Sequence, residues 1–408
     1  MLTESQREII RATVPVLRQY GEQITKQFYK DLFEANPSLW NIFNPANQRS
    51  GGQASSLAGS ILSYAANIDQ LERVSGMVDR IAHKHGSLEV QPEHYPIVGH
   101  HLLIAIRKVL GKAATDAVID AWAAAYGQLA EIMIGREQAL YDEARAAGWD
   151  GFKECLVIRK ERESLSMVSL YLKPVDGTPL PAFRPGQFLS LKLRVPGQDH
   201  DQIRQYSLST APGGRFYRIS VRREQGLGAG TPEGLVSNYL HDRIEEGDTV
   251  RVHAPVGDFV LDETSARPVV LLSAGSGITP TISMLEHLAG PAGGTRPVRF
   301  LHATTERAHH AFGDHVRRLA KSRPGIEATV FYETVGAADI PGVHHDEVGR
   351  LTEAALAARL PSDDCDFYVC GPVGFMTAVD RILDRLGVPK ARRHSEAFVP
   401  DPNQLLAA

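Results

Sequence analysis

The spacing of apolar residues changes twice along the chain, and these changes constrain the fold more than any other feature. Up to about residue 148, apolar residues recur every three or four positions, which is typical of amphipathic helices. From 151 to 262 the period drops to two, which predicts β-strands. From 266 to 408, strand-like and helix-like segments alternate, which predicts a parallel sheet with crossover helices. The sequence therefore predicts three domains: an all-α block, an antiparallel β-barrel and an α/β block.

Local signals support the all-α block. Thr3 and Gln6 fit a capping box at the start of a first helix. Asn36-Pro37 is expected to end a second helix, because a residue before proline avoids the helical conformation. An alanine-rich helix from about 115 to 147 closes the block at Gly148, a typical residue just after a helix end.

The second and third blocks carry their own signals. Turn sequences such as Asp176-Gly177 and Gly213-Gly214 separate short alternating strands, as in a small antiparallel barrel. In the third block the apolar segment VVLLS (269–273) and the later segments RFLHA, TVFY and FYVC are predicted strands. Helical stretches such as TISMLEHLA lie between them.

The composition excludes several classes of protein. The formal net charge of the 408 residues is −4, so no basic surface favours nucleic acid or anionic lipid. Apolar runs are too short to span a membrane, and the N-terminus lacks the pattern of a signal peptide. Three cysteines form neither a disulfide framework nor zinc-site spacing, which favours the reducing cytoplasm. Nothing in the sequence requires more than a monomer.

His85 is a candidate iron ligand in the helical block. It follows Leu71, Val74, Val78 and Ile81 at intervals of three and four, so it projects from an apolar helical stripe. A neutral imidazole in an apolar wall can ligate haem iron. The alternative is a histidine whose hydrogen bonds are satisfied within the core.

Four more residues in this block could face a flat cofactor. Phe43 lies in a short segment between helices, and Tyr29 lies among aromatic residues of the second helix. Gln53 and Leu57 are four residues apart and share one helix face. Taken alone, each fits an ordinary core position better than a functional one, but together they place polar and apolar groups opposite one ligand.

Two motifs in the β block could bind a phosphate-bearing cofactor. Arg204-Gln205-Tyr206-Ser207 lies on an alternating strand after the segment RPGQF (184–188). An arginine can hold a pyrophosphate, the tyrosine shares its face, and the serine hydroxyl can donate to a flavin ring nitrogen. Gly234-Leu235-Val236-Ser237 begins a helix, where backbone N–H groups can meet a pyrophosphate.

The α/β block contains a glycine-rich turn between a strand and a helix. Glycines let the backbone approach a phosphate, and the helix N-terminus favours its charge. A CGP segment ends a later strand, although its cysteine alone could be an ordinary buried thiol. Near the C-terminus the segment SEAFVP follows. The candidate residues are Gly275, Ser276, Gly277, Ile278, Thr279, Pro280, Cys370, Gly371, Pro372, Glu396, Ala397, Phe398, Val399 and Pro400.

The helical block resembles bacterial and yeast flavohaemoglobins over long stretches, including NPSLWNIFNPANQRSGGQ, IAHKHGSLEVQPEHYPIVGHHLL and AWAAAYGQLAEIMIGREQALY. The resemblance implies a globin fold, with His85 as the proximal ligand of haem b and Phe43 in contact with the haem. It implies that Tyr29 and Gln53 hydrogen-bond oxygen on the distal side, where Leu57 limits the space. It also places Tyr95 and Glu137 behind His85, where a carboxylate gives the imidazole more imidazolate character. Glu137 shares a helix face with Tyr126 and Met133, although an exposed glutamate is its ordinary alternative.

The other two blocks resemble the FAD barrel and the nucleotide domain of ferredoxin-reductase-type enzymes. The turn matches that family's G-x-G-x-T-P form, and Cys370-Gly371-Pro372 matches the C-G-P beside the nicotinamide. Three features depart from the family. Phe188 stands where tyrosine is common, residues 226–233 resemble an insertion, and Ala397 and Val399 replace the cysteine and glycine of E-C-F-G-P.

The resemblance, which covers nearly the whole chain, implies a nitric oxide dioxygenase that uses NAD(P)H, FAD and haem to convert nitric oxide and O2 to nitrate. Two alternatives are a reductase of lipid hydroperoxides or quinones, and a gas sensor. Arg307 follows a strand end where it could meet the 2′-phosphate of NADPH, but an exposed arginine is its ordinary alternative. NADH and NADPH both stay open.

Overall fold

The computed structural model describes residues 2–45, 48, 51–226 and 233–398. Within this part, contacts divide the chain into two compact units. The first contains residues 2–146 and Lys192–Arg204, and the second contains Ala147–Leu191 and 205–398. None of the described helices is long and apolar enough to cross a membrane. The boundaries between the three predicted blocks stay a prediction.

The first block is helical throughout its described part. Its helices are α1 (Glu4–Ala35), α2 (Gly52–Ala66), α3 (Ser75–Gly86), α4 (His94–Leu110) and α5 (Asp116–Ala146). Short 3-10 turns cover Pro37–Asn41, Leu71–Val74 and Gly111–Ala113. Their shared core contains buried residues of α1, α2, α4 and α5.

The predicted helix start at Thr3 and the predicted helix end at Asn36-Pro37 are both confirmed, but a single helix joins them. Thr3 and Gln6 form both hydrogen bonds of the capping box. The helix then continues through Pro15 to Ala35, where two separate helices were expected. A proline inside a helix costs about 3 kcal/mol, but the buried residues from Ile10 to Phe33 keep helical spacing throughout. Continuous packing along this stripe offsets the hydrogen bond that Pro15 cannot make.

The second block forms an antiparallel sheet with the strand order β4-β3-β6-β1-β2-β5. The strands are β1 (Lys153–Arg162), β2 (Met167–Pro174), β3 (Phe188–Leu193), β4 (Gln202–Ser207), β5 (Tyr217–Arg222) and β6 (Thr249–Val252). Helix α6 (Leu235–Asp242) follows β5. The alternation of apolar residues thus predicted the strands, and the short turns between them predicted the antiparallel pairing.

The third block is a sheet with the order β10-β9-β8-β7-β11-β12, and its strands pair in parallel. Its strands are β7 (Val269–Ala274), β8 (Val298–Thr304), β9 (Ile326–Tyr332), β10 (Glu347–Val348), β11 (Asp366–Cys370) and β12 (Arg393–Glu396). Its helices are α7 (Ile278–Ala289), α8 (Gly313–Ser322), α9 (Glu353–Ala357) and α10 (Val373–Arg385). Every position of β7 is buried, as a central parallel strand requires.

One close helix contact sets the packing of α4 against α5. A Cβ added at Gly99 would lie 2.5 Å from the Tyr126 ring, so only glycine lets the two helices approach this closely. We expect Gly99→Ala to destabilise the helical block by about 1–3 kcal/mol, the usual cost of overpacking. The measurement is the Tm of the full chain by circular dichroism.

Gly127→Ala on α5 is the matched control, because nothing lies within 4 Å of its added Cβ. Alanine favours a helix over glycine by about 0.5–1 kcal/mol, so this control should keep or raise the Tm. Equal Tm values for the two variants would contradict the packing role of Gly99.

Candidate functional site

His85 lies at the end of α3 and uses one ring nitrogen for two contacts inside the protein. Its Nδ1 lies 2.8 Å from Glu137 Oε1 and 3.2 Å from the Tyr95 hydroxyl. The Tyr95 hydroxyl donates to the same carboxylate oxygen at 2.5 Å. Both contacts of the histidine fall on Nδ1 and leave Nε2 as the nitrogen that can ligate a metal.

The electrostatics of this group favour a strongly donating imidazole. Glu137 is only 1% exposed, so its carboxylate depends on donors from the protein. Burial, reinforced by the neighbouring Glu137, raises the pKa of Tyr95, which therefore stays a neutral donor. With Tyr95 holding its proton, His85 Nδ1–H can donate to the carboxylate, which raises the basicity of Nε2.

Tyr126 supports this group, and the sequence analysis did not identify that role. Its hydroxyl donates to the backbone oxygen of Tyr95 at 2.7 Å, and its ring packs against Gly99. Gly99 itself was the available signal, since a glycine within a helical block often marks a close contact.

The predicted distal residues also lie together. Tyr29 on α1 is buried, and its ring centroid lies 5.9 Å from that of Phe43 in an edge-on contact. Gln53 on α2 hydrogen-bonds the Tyr29 hydroxyl, while burial raises the pKa of that hydroxyl. Leu57 lies one turn after Gln53 and packs against the same core. Tyr29 is therefore a neutral phenol held by an amide among apolar side chains.

These two groups fit a haem by the chemistry of their donors. The first supplies a single imidazole whose Nδ1 is paired with a buried carboxylate, one of the partners that metal-ligating histidines use. The second supplies one hydroxyl and one amide in apolar surroundings, where the low local dielectric strengthens each hydrogen bond.

The four candidate residues of β4 alternate between the two faces of the strand. Arg204 and Tyr206 share one face, while Gln205 and the buried Ser207 share the other. Gln205 is engaged within the sheet, because its Nε2 donates to Ser190 Oγ at 3.1 Å. The face of Arg204 and Tyr206 therefore offers the charged and aromatic groups that a flavin nucleotide needs.

The start of α6 is shaped by a glycine. A Cβ added at Gly234 would lie 2.4 Å from Ser237 Oγ and 2.7 Å from Glu224 Cβ. The first N–H groups of a helix lack partners within the helix, so they are available to an anion. This fits the predicted pyrophosphate contact of Gly234 to Ser237. Most of the predicted insertion, residues 227–232, lies outside the described part of the chain.

Phe188 packs close to the backbone, at the position where the resemblance predicts tyrosine. A Cβ added at Gly257 would lie 3.0 Å from the Phe188 ring, and Phe188 exchanges backbone hydrogen bonds with Val256. The phenylalanine therefore keeps a packing role and offers no hydroxyl.

The glycine-rich turn and the CGP segment meet directly. A Cβ added at Gly277 would lie 2.1 Å from the Cys370 carbonyl oxygen and 2.7 Å from Gly371 N. The Cys370 side chain is fully buried, and burial raises the pKa of its thiol well above the ordinary value. The thiol therefore stays protonated, and the segment contributes shape rather than a charged nucleophile.

The C-terminal candidates divide in two. Glu396 ends β12 beside Cys370, and the Phe398 side chain is 46% exposed, as a ring that contacts a cofactor can be. Ala397 packs against the core beneath the sheet. Val399 and Pro400 lie outside the described residues.

Comparisons with known proteins agree with this arrangement. Residues 26–133 match the globin family, 155–261 the oxidoreductase FAD-binding domain and 271–381 the oxidoreductase NAD-binding domain. The chain is 54% identical over 402 residues to the flavohemoprotein of Deinococcus radiodurans, and 49% identical over 402 residues to that of Bordetella pertussis. In each case 98% of both chains is covered. The chain belongs to the flavohaemoprotein family.

Solved structures give the same result. The flavohemoglobin of Malassezia yamatoensis, with bound FAD and haem, is similar with a TM-score of 0.80 and 26% identity. The match covers 97% of this chain and 99% of that one. The FAD- and NAD-binding domain of a nitric oxide dioxygenase from Vibrio cholerae has a TM-score of 0.55 and 40% identity. That match covers 61% of this chain and 99% of that domain. The cofactors of this flavohaemoprotein are therefore haem, FAD and a nicotinamide nucleotide.

Glu137 gives the first test of the flavohaemoprotein's site. We expect Glu137→Gln to lower the iron–histidine stretching frequency in resonance Raman spectra. A neutral amide accepts a weaker hydrogen bond from His85 Nδ1–H than a carboxylate does, so Nε2 would bind the iron less strongly. Haem affinity should fall about 10- to 100-fold, as for other partners of metal ligands. Glu131→Gln, at an exposed position of the same helix, is the control. An unchanged frequency in Glu137→Gln would contradict the role of the carboxylate.

Gly277 gives the second test. Its backbone angles suit any residue, so Gly277→Ala acts only through the clash with Cys370. We expect NAD+ affinity, measured by calorimetry, to fall roughly tenfold or more, because a clash of 1–3 kcal/mol must displace the turn. Gly374→Ala adds a Cβ with nothing within 4 Å and should bind NAD+ as the unaltered chain does.

Proposed function

We propose that this flavohaemoprotein is an NAD(P)H-dependent nitric oxide dioxygenase, which combines nitric oxide with O2 to give nitrate. The observation that carries the proposal is the hydrogen-bonded group of His85, Tyr95 and Glu137 in a globin fused to reductase domains. A simple oxygen carrier needs neither a carboxylate that strengthens its iron ligand nor a reductase. The Vibrio cholerae relative, whose name gives this activity, adds support for the same reaction.

The residues that would hold the cofactors follow from the site. His85 Nε2 would ligate haem b, with Phe43 and Leu57 packing near it. Arg204, Tyr206 and Ser207, with the start of α6, would hold FAD. The turn Gly275–Pro280 would hold the phosphates of NAD(P)H, and Cys370–Pro372 would lie near its nicotinamide. When bound, haem supplies iron for oxygen chemistry, and FAD converts the two electrons of a hydride into single-electron transfers.

The protein's own groups would then act by holding protons and charge. Glu137 accepts the Nδ1 proton of His85 and makes the ligand a stronger electron donor. Tyr29 keeps its proton at neutral pH and donates a hydrogen bond on the distal side. Gln53 orients that hydroxyl, and the surrounding apolar side chains exclude water.

The reaction balances with the cofactors present. Oxidation of one NAD(P)H to NAD(P)+ releases two electrons and one proton. Two molecules of nitric oxide, two of O2 and those two electrons give two nitrate ions, so each nitrate requires one electron. FAD suits this stoichiometry because it receives electrons in pairs and releases them singly.

We also place the reaction in the cytoplasm and in a monomer. All three cysteines are free and buried, as in proteins of a reducing compartment. The proposed substrates are small molecules that need no partner protein.

Nitric oxide loss and nitrate formation test the proposal directly. The protein, loaded with haem and FAD, is mixed with NADH, O2 and nitric oxide, and nitrate is assayed. We expect nearly one nitrate per nitric oxide consumed. Tyr29→Phe should lower the rate about 100-fold, the typical cost of removing one preorganised donor. His85→Ala should abolish it.

Tyr20→Phe, on the same helix as Tyr29, is the matched control and should keep the rate. NADH oxidation without loss of nitric oxide would contradict the proposal and leave a reductase. Lipid hydroperoxides and quinones would then be its candidate acceptors. Oxygen binding with neither reaction would indicate a gas sensor.

A further inference from the structure

Glu286 is a buried carboxylate between the antiparallel sheet and the nucleotide-binding block. It lies on α7 and is 13% exposed at its side chain. Its Oε1 accepts from Arg218 Nη2 at 2.8 Å and lies 2.7 Å from His315 Nε2. Its Oε2 accepts from Thr210 Oγ1 at 2.9 Å and from Ala211 N at 2.8 Å. Four contacts thus fix both oxygens.

The surroundings of Glu286 also favour the ionised form of its carboxylate. Burial opposes ionisation, but the hydrogen bond with His315, the charge of Arg218 and the N–H of Ala211 lower the pKa of Glu286 to about 2. The carboxylate is therefore ionised at neutral pH. A buried ion held by several donors is costly to disturb, because loss of one partner leaves charge without solvation.

On one side, Glu286 is tied to the nucleotide turn by helix α7. This helix begins directly after Gly275–Gly277, and Glu286 lies about 12 Å along it, at 1.5 Å per residue. Ser283, one turn earlier on the same face, donates to Thr210 O at 2.7 Å. Two consecutive turns of α7 are therefore anchored to the same loop.

On the other side, that loop continues from the candidate flavin strand. Thr210 lies three residues after Ser207, the last residue of β4. Arg218 fixes the segment between them, because Ser209 N donates to Arg218 O at 2.8 Å and Arg218 Nε donates to Ser209 Oγ at 3.2 Å. The guanidinium also lies 4.9 Å from the Phe312 ring centroid, ahead of α8. These contacts therefore fix the position of α7 relative to the candidate flavin strand β4.

From this connection we propose that Glu286 is a positioning residue for hydride transfer. It holds the nucleotide helix against the flavin strand and so sets how closely the nicotinamide approaches the flavin. The inference rests on the proposed function only in that NAD(P)H reduces the FAD. In that step the C4–H bond of the dihydronicotinamide breaks, the hydride carries two electrons to the flavin, and the flavin takes one further proton from water.

Glu286→Gln tests the inference, because an amide cannot accept from both pairs of donors. We expect flavin reduction at saturating NADH, followed anaerobically by stopped flow, to slow roughly tenfold or more, since misplacement by about 1 Å can cost 100-fold. NAD+ affinity should change less than about threefold, because the phosphate turn itself is unaltered.

A second readout does not depend on turnover. NAD+ is titrated into protein reduced with dithionite, and the long-wavelength absorbance from nicotinamide stacked on reduced flavin is recorded. We expect Glu286→Gln to lose at least half of this absorbance at saturation. A merely structural role would lower the Tm and leave the absorbance and the reduction rate unchanged.

Glu263→Gln is the matched control. Glu263 pairs with His287, the next residue of α7, but the Glu263 side chain is 49% exposed, so its carboxylate stays in contact with solvent. The control should keep both readouts. If Glu286→Gln does not fold, Thr210→Val removes one donor to the same carboxylate and should shift both readouts in the same direction by a smaller factor.

The outcomes separate the two proposals. If NADH does not reduce the flavin of the unaltered protein, the proposed function fails. If NADH reduces the unaltered protein and Glu286→Gln at the same rate, with equal absorbance, only the positioning role is overturned.

Discussion

A buried carboxylate must find its hydrogen-bond donors within the protein, and this constraint organises the globin half of the molecule. Glu137 is almost completely buried. Its carboxylate accepts a hydrogen bond from the Tyr95 hydroxyl and lies within hydrogen-bond distance of His85 Nδ1. Removing a charge from water costs several kcal/mol, which the protein recovers only if the donors are held in place. The helices that carry these residues are therefore fixed relative to one another by the same contacts that orient His85, the proposed iron ligand. Here stability and ligand chemistry share one interaction.

The reductase half uses close backbone approach where the globin half uses a carboxylate. At Gly277 the turn lies so near the Cys370 carbonyl that a methyl group has no space. Because the two segments come from different strands of one sheet, their contact fixes the end of the crevice where nucleotides bind in open α/β folds. The glycine-rich turn thus has two roles. It lets the backbone approach a phosphate, and it lets the segment after β7 pack directly against the end of β11.

Periodicity and motifs predicted the sequence of blocks and most elements, because these signals are local. They failed where the deciding contacts are distant in sequence. Two helices were expected before Asn36-Pro37, but a stripe of buried residues that the rest of the globin covers keeps α1 continuous through Pro15. Leu71 and Val74 were assigned to the helix of His85, yet they form a separate turn before it. Glu286 gave no signal at all, since its partners lie 29 to 76 residues away.

Burial affects Tyr29 and Tyr95 in the same way, but their hydrogen-bond partners differ. Burial raises the pKa of both hydroxyls, so both stay protonated at neutral pH. The proton of Tyr95 is committed to the carboxylate of Glu137, which makes this tyrosine a fixed support. Tyr29 faces the amide of Gln53, which can donate as well as accept, so the phenol proton can turn to a distal ligand. In the proposed mechanism, Tyr95 is therefore a fixed support on the side of His85, and Tyr29 is a hydrogen-bond donor on the distal side.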